Sequence, residues 1–269
     1  MHKIKGYKDE WRIQEYLLIT FFISWLSWGI LVTLSALGIT SATSFIGGLL
    51  FFIGGFGPTI SAILCLEGKL NARRVLNFIF DHKQKAALFF MLFAILFCAT
   101  IGLFSQGLSD SISASPWLSL PIMFITFTLF NGGNQELGWR GTFQPVLERV
   151  VRKKIKTPAL NFAVCSLIVG AVWAIWYLPL WFVAGTPQHN MNFGLFAVSI
   201  ICAAFWLAAI YRRTGSVFCC MLFHGVVNFL LAIFVVQINW PIAVGYAVLT
   251  ILAVILASRS QPVKPQVED

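Results

Sequence analysis

The sequence predicts an all-α membrane protein, a bundle of about eight spanning helices, and three observations predict it. The chain is 58% hydrophobic and only 11% charged over 269 residues, where soluble domains carry about 25% charged residues. Its mean hydropathy is +0.83. The apolar residues gather in segments close to the roughly 20 residues that cross a bilayer, and the basic residues fall between those segments in a regular alternation.

Eight segments are expected, at about 17–37, 45–66, 86–105, 117–134, 158–183, 192–211, 215–236 and 240–258. Lys3, Lys5, Lys8 and Arg12 precede the first. The second gap holds Lys69, Arg73, Arg74, Lys83 and Lys85, and the fourth holds Arg149, Arg152, Lys153, Lys154 and Lys156. The sixth holds Arg212 and Arg213, and the tail holds Arg259 and Lys264. The odd-numbered gaps contain no lysine or arginine. Eight spans therefore sort the basic residues to one side, which the positive-inside rule makes the cytoplasm, with both termini on it. One helix more or fewer would break the alternation.

The basic N-terminus precedes an apolar run longer than the 7–15 residues of a signal-peptide core, with no small-residue cleavage site, so a retained first helix is expected. No polar stretch is long enough for a separate soluble unit, so 1–269 is expected to be one domain. The net charge of +9 does not point to nucleic acid. The charges line one membrane face, where anionic headgroups are their natural partners. The six cysteines lie in or at the ends of apolar segments at spacings that match no metal knuckle, and are read as small buried hydrophobes.

Against this apolar background a few polar residues stand out. Gly54-Gly55-Phe56-Gly57-Pro58 interrupts the second segment, as a kink for close helix packing or as a cavity wall. Asn131-Gly132-Gly133-Asn134 is poor helix sequence and is expected to bend or loosen the fourth helix. Glu136 and Arg140 follow at i,i+4 and share a face, so they can pair; Gln135 is turned by about 100° from Glu136. Polar groups at membrane depth are costly unless paired or solvated, so a chain that keeps them there keeps them for function. Residues 142–156 alternate apolar and basic side chains, as an amphipathic interfacial helix or a basic loop would. Trp173, Trp176 and Tyr177 read as an aromatic belt at the membrane interface. His224 and Asn228 lie one turn apart on the seventh segment and suggest a polar cavity. His2, His82 and His189 carry no assignment.

Gln135-Glu136-x-x-x-Arg140, Trp173-x-x-x-Tyr177-Leu-Pro and His224-x-x-x-Asn228 resemble, in order and spacing, the three motifs of the CPBP family. These are the type II CAAX prenyl proteases and their bacteriocin-processing and immunity relatives. The family pattern is Glu-Glu-x-x-x-Arg, Phe-x-x-x-His and His-x-x-x-Asn over an eight-helix membrane bundle. Gly57-Pro58 and Gly138-Trp139-Arg140-Gly141 also fit, and the resemblance covers about residues 50–235. It implies a multi-pass protein of a bacterial plasma membrane. It further implies endopeptidase cleavage of prenylated peptides, with site positions Gln135, Glu136, Arg140, Tyr177, His224 and Asn228. In that implied scheme Glu136 and Arg140 brace the site, His224 helps hold water or a metal, and Asn228 donates to the developing oxyanion.

Two positions depart from the pattern. Gln135 stands where the family has its general base, and an amide holds water without taking its proton near neutral pH. Tyr177 stands where the family has its first histidine, and a phenol with an ordinary pKa of about 10 is a poor base or ligand at pH 7. One histidine and one carboxylate fall short of the three or four ligands of a zinc site, so no cofactor is expected. The expected function is a family member with proteolysis weakened or lost that binds a hydrophobic or lipidated peptide, or a partner membrane protein. The first alternative is a working endopeptidase with Glu136 as base and Tyr177 orienting water or substrate. The second is a transporter or lipid-binding protein, against which stands the absence of paired half-helix breaks. Counted along the helices, Tyr177 should lie deeper than His224. Tilt, or a fourth helix continuing to about 149, would reconcile them.

Overall fold

The computed structural model of the chain describes residues 9–65, 76, 79–80, 86–109, 117, 119–236 and 240–258. Among the described residues the fold is all-α, with one isolated bridge between Leu108 and Phe234 and no strand. The helices are α1 (Asp9–Ala36), α2 (Phe45–Gly55), α3 (Gly57–Leu64), α4 (Ala86–Phe104), α5 (Ser119–Leu129), α6 (Gln144–Arg152), α7 (Pro158–Trp176), α8 (Phe193–Thr214), α9 (Val217–Ile233) and α10 (Trp240–Ser258). Each of the eight apolar segments is helical over most of its described length. Arg12–Ala36, Pro158–Phe182, Phe193–Thr214 and Trp240–Ser258 are long and apolar enough to cross a membrane, and α2 with α3 makes a fifth span bent by 42°. At 17 and 11 residues, α9 and α5 fall short of the roughly 20 that span a bilayer alone.

The bend between α2 and α3 has a local cause and a packing consequence. Pro58 sits in the first turn of α3, where its missing N–H is harmless. α1 then lies directly along the bent pair. Ser24 Oγ donates to Gly54 O at 2.6 Å, Ser27 Oγ to Leu50 O at 2.8 Å and Trp28 Nε1 to Phe51 O at 3.0 Å. A Cβ on Gly54 would lie 2.2 Å from Trp28 Nε1. Of the two readings of the Gly-rich break, close helix packing is the one seen.

The connections sort into two ends. Ala42 N donates to Ala184 O, and Gln106 N to Val235 O, which ties the first basic-free gap to the fifth and the start of the third to the end of the seventh segment. At the other end Arg212, at the close of α8, bonds Glu148 of α6 at 2.9 Å, Pro158 O of α7 at 3.4 Å and Ala257 O of α10 at 3.3 Å. Lys3, Lys5, Lys8, Lys69, Arg73, Arg74, Lys83, Lys85, Arg259, Lys264, His2 and His82 lie outside them.

Two expectations change. Residues 144–148 are buried throughout rather than lying along an interface, because Glu148 finds Arg212 and Gln144 finds Glu148 inside the bundle. Trp173 and Trp176 are buried, at 1% and 0% exposure, and pack in the core with Trp28 and Trp139. They form no interfacial belt.

Candidate functional site

The polar residues at 131–140 depend on how α5 ends. The helix stops at Leu129, and Gly132 takes φ +124°, a backbone state that side chains disfavour and glycine accepts. The chain then re-enters the bundle as one continuous helical run: a 3-10 turn (Gly133–Gln135), one α-turn (Glu136–Gly138), a π-turn (Trp139–Phe143) and α6. The fourth helix therefore does not continue to about 149; a separate helical run after Gly132 reaches Arg152. Thr59 of α3 anchors the start of the run. Its hydroxyl donates to Asn134 O at 2.9 Å and accepts from Asn134 Nδ2 at 3.2 Å. Asn134 Oδ1 accepts from Gly132 N at 3.1 Å.

Glu136 and Arg140 are fully buried. Arg140 Nη1 lies 3.1 Å from one carboxylate oxygen of Glu136 and 3.0 Å from the other. From α9, His224 Nδ1 meets Glu136 Oε1 at 2.7 Å. A carboxylate oxygen accepts, so the imidazole carries its hydrogen on Nδ1 and turns its other edge toward Gly132. A Cβ on that glycine would fall 2.9 Å from His224 Nε2 and 2.3 Å from Asn228 Nδ2. Half-buried Asn228 donates from Nδ2 to Asn131 O at 3.0 Å. Two segments distant in sequence thus converge on one buried carboxylate, which a guanidinium and an imidazole together compensate.

Gln135 faces away from this triad, as its turn from Glu136 requires. Its amide meets the Tyr177 hydroxyl, with Nε2 donating at 3.2 Å and the phenol 3.3 Å from Oε1. Trp173 Nε1 also donates to Gln135 Oε1 at 3.3 Å. The two departing positions therefore bond one another. Tyr177 stacks on Trp28, with ring centroids 6.0 Å apart and planes 13° from parallel. Trp173 joins the two groups. Its ring lies 4.8 Å beneath the Arg140 guanidinium carbon and edge-on to His224 at 5.2 Å.

Five of the six residues singled out in the sequence take part in these two adjoining networks, and Asn228 bonds Asn131 O beside them. Missed were Gly132, Asn134, Thr59, Trp28 and Trp173. Gly132 stood in plain view within a polar run, and Trp173 was read as belt. Thr59 and Trp28 carry no signal that sequence could separate from ordinary apolar helix. Among the described residues no three His, Cys, Asp or Glu side chains converge. The carboxylate and the imidazole that could ligate a metal are bonded to each other. This donor set does not fit a divalent-metal centre, and no chemical step is assigned to one. The ionic triad can brace and polarise, while the Gln135–Tyr177–Trp173 network is neutral and its groups satisfy one another.

Residues 117–230 match the model of a family described as type II CAAX prenyl endopeptidase Rce1-like. The chain is also similar to "CAAX prenyl protease 2" of Methanococcus maripaludis, with 27% identity in a 242-residue alignment covering 79% of this chain and 81% of that protein. Matched region, relative and motif order agree in likening the chain to the CPBP family of CAAX prenyl protease-like membrane proteins.

Proposed function

We propose that this protein is a CAAX prenyl protease-like membrane protein whose hydrolytic step is weakened or lost. It binds a hydrophobic or lipidated peptide, or a partner membrane protein, with both termini in the cytoplasm. One observation carries the reading: Gln135 and Tyr177 bond each other at 3.2 Å, with Trp173 closing the network at 3.3 Å. An amide and a phenol at those positions leave no group to take a proton from water near pH 7, and loss of general-base catalysis commonly costs 10²–10⁴ in rate. The alternative, with Glu136 as base, is disfavoured by its surroundings. Glu136 Oε1 already bonds His224 and Arg140, and Oε2 lies 3.0 Å from Arg140 Nη1 with no hydrogen-bond partner of its own, so the carboxylate is committed to the buried ion pair rather than to the face that Gln135 and Tyr177 line.

The test uses purified protein reconstituted in vesicles with a fluorescent farnesylated peptide, read for binding by anisotropy and for cleavage by mass spectrometry. Saturable binding without cleavage is expected. Robust cleavage that disappears in Glu136→Ala would overturn the reading in favour of the Glu136 endopeptidase.

A further inference from the structure

The outer edge of the site lies close to one end of the bundle. Asn228 sits five residues before the end of α9 at Ile233, about 8 Å at 1.5 Å per residue. Tyr177 caps α7, and its ring meets Phe196 edge-on at 5.5 Å. Phe196 is in the first turn of α8, whose other end carries Arg212 and Arg213. Tyr177 also stacks on Trp28, eight residues before the end of α1 at Ala36, about 12 Å away. Both depths are less than half of a roughly 30 Å hydrocarbon core, and helix tilt only shortens them. This is the end where Ala42 N of the first gap donates to Ala184 O of the fifth, and Ser109 N of the third gap to Ile233 O. It is opposite the end at which α1 begins and α10 finishes.

Access follows the same division. Gly132 to Glu148 are buried without a break, and at the far end Arg212 closes on Glu148 at 2.9 Å. Asn131, by contrast, is exposed, Phe130 is 46% exposed, and Tyr177, Phe196 and Asn228 are half-buried. Phe52 and Phe130, with ring centroids 6.2 Å apart, set apolar surface beside Asn131, whose carbonyl bonds Asn228. Peptide N–H and C=O groups need partners in apolar surroundings, and side-chain amides offer both donors and an acceptor. A bare acyl chain has no use for either.

We propose that the site is entered from the half of the membrane opposite both termini, and that its occupant is a hydrophobic peptide held there. Its apolar side chains or lipid would lie on the phenylalanine rings and its backbone groups on the two amides. With the basic end in the cytoplasm, that half is the extracytoplasmic one. The proposal rests on the binding reading of this site. The test uses vesicles of fixed orientation in two measurements. In the first, a fluorescent non-natural residue replaces Phe130, and nitroxide lipid is loaded into one leaflet at a time. Nitroxide in the leaflet opposite the termini should quench several-fold more strongly. Equal or reversed quenching overturns the proposal, whether or not any peptide binds. In the second, a farnesylated benzophenone peptide, with a charged tail that stops it crossing the bilayer, is added to wild-type vesicles from each side and mapped by mass spectrometry. Cross-links near Phe130 or Phe196 are expected only from the side opposite the termini, and equal yield from the termini's side overturns the proposal. No cross-link from either side overturns the binding reading and with it the occupant, while the quenching still fixes the side.

Discussion

Glu136→Ala probes the ionic triad most directly. The carboxylate and the Arg140 side chain are both at 0% exposure, and His224 adds a 2.7 Å bond to the same carboxylate. Removing one partner of a buried ion pair costs about 3–5 kcal/mol, because the other charge is left uncompensated. The Trp173 ring beneath the guanidinium offsets only about 0.5–2 kcal/mol of that. Glu136→Gln keeps an acceptor and should lose about 1–3 kcal/mol. Adding Arg140→Met to Glu136→Ala removes the stranded charge. The double variant should therefore be less destabilised than the sum of the singles by about 1–3 kcal/mol. Equilibrium unfolding in mixed micelles gives each free energy. A Glu136→Ala variant within about 1 kcal/mol of wild type, with additive behaviour in the double, would refute the triad as a coupled buried unit.

Gly132→Ala should destabilise by about 1–3 kcal/mol through backbone strain at φ > 0 and displace His224 and Asn228, which the imidazole NMR signals of His224 would report; unchanged signals would count against the packing described. Tyr177→Phe should cost about 1 kcal/mol in the same unfolding assay, since Gln135 keeps its bond from Trp173, and a loss several times larger would contradict that arrangement. For topology, cysteines placed near Thr40 or His189 should react with an impermeant reagent from outside intact cells, and one at Lys154 should not; outside labelling at Lys154 would reverse the sidedness.

What sequence conveyed and what it withheld divide along physical lines. The eight apolar segments and the basic-free gaps were readable because membrane crossing imposes length and charge rules on every helix. The Glu136–Arg140 contact was readable because i,i+4 spacing is local geometry. The family resemblance put Gln135 and Tyr177, 42 residues apart, in one site, but the bond between them was not legible, since no local rule links them. Trp173 and Trp176 were misplaced because tryptophan suits both an interface and a packed core. The burial of Gln144 and Glu148 was hidden because the partner that makes it tolerable, Arg212, lies 64 residues beyond Glu148. The 3-10 and π turns around Glu136 arise from anchors such as Thr59, 75 residues from Asn134.

On the function proposed, Gln135 and Tyr177 silence a site whose other members are in place. Hydrolysis of a farnesylated peptide by reconstituted wild type, Gln135→Glu, Tyr177→His and the double variant tests it most directly. Gln135→Glu returns a carboxylate that can accept a proton, and Tyr177→His returns an imidazole beside it. Both act on one water, so their effects should exceed additivity. Background cleavage by wild type is expected, with clear turnover by the double variant that neither single variant restores fully. A wild type that already cleaves, or a folded double variant that cleaves no better than wild type, would contradict it.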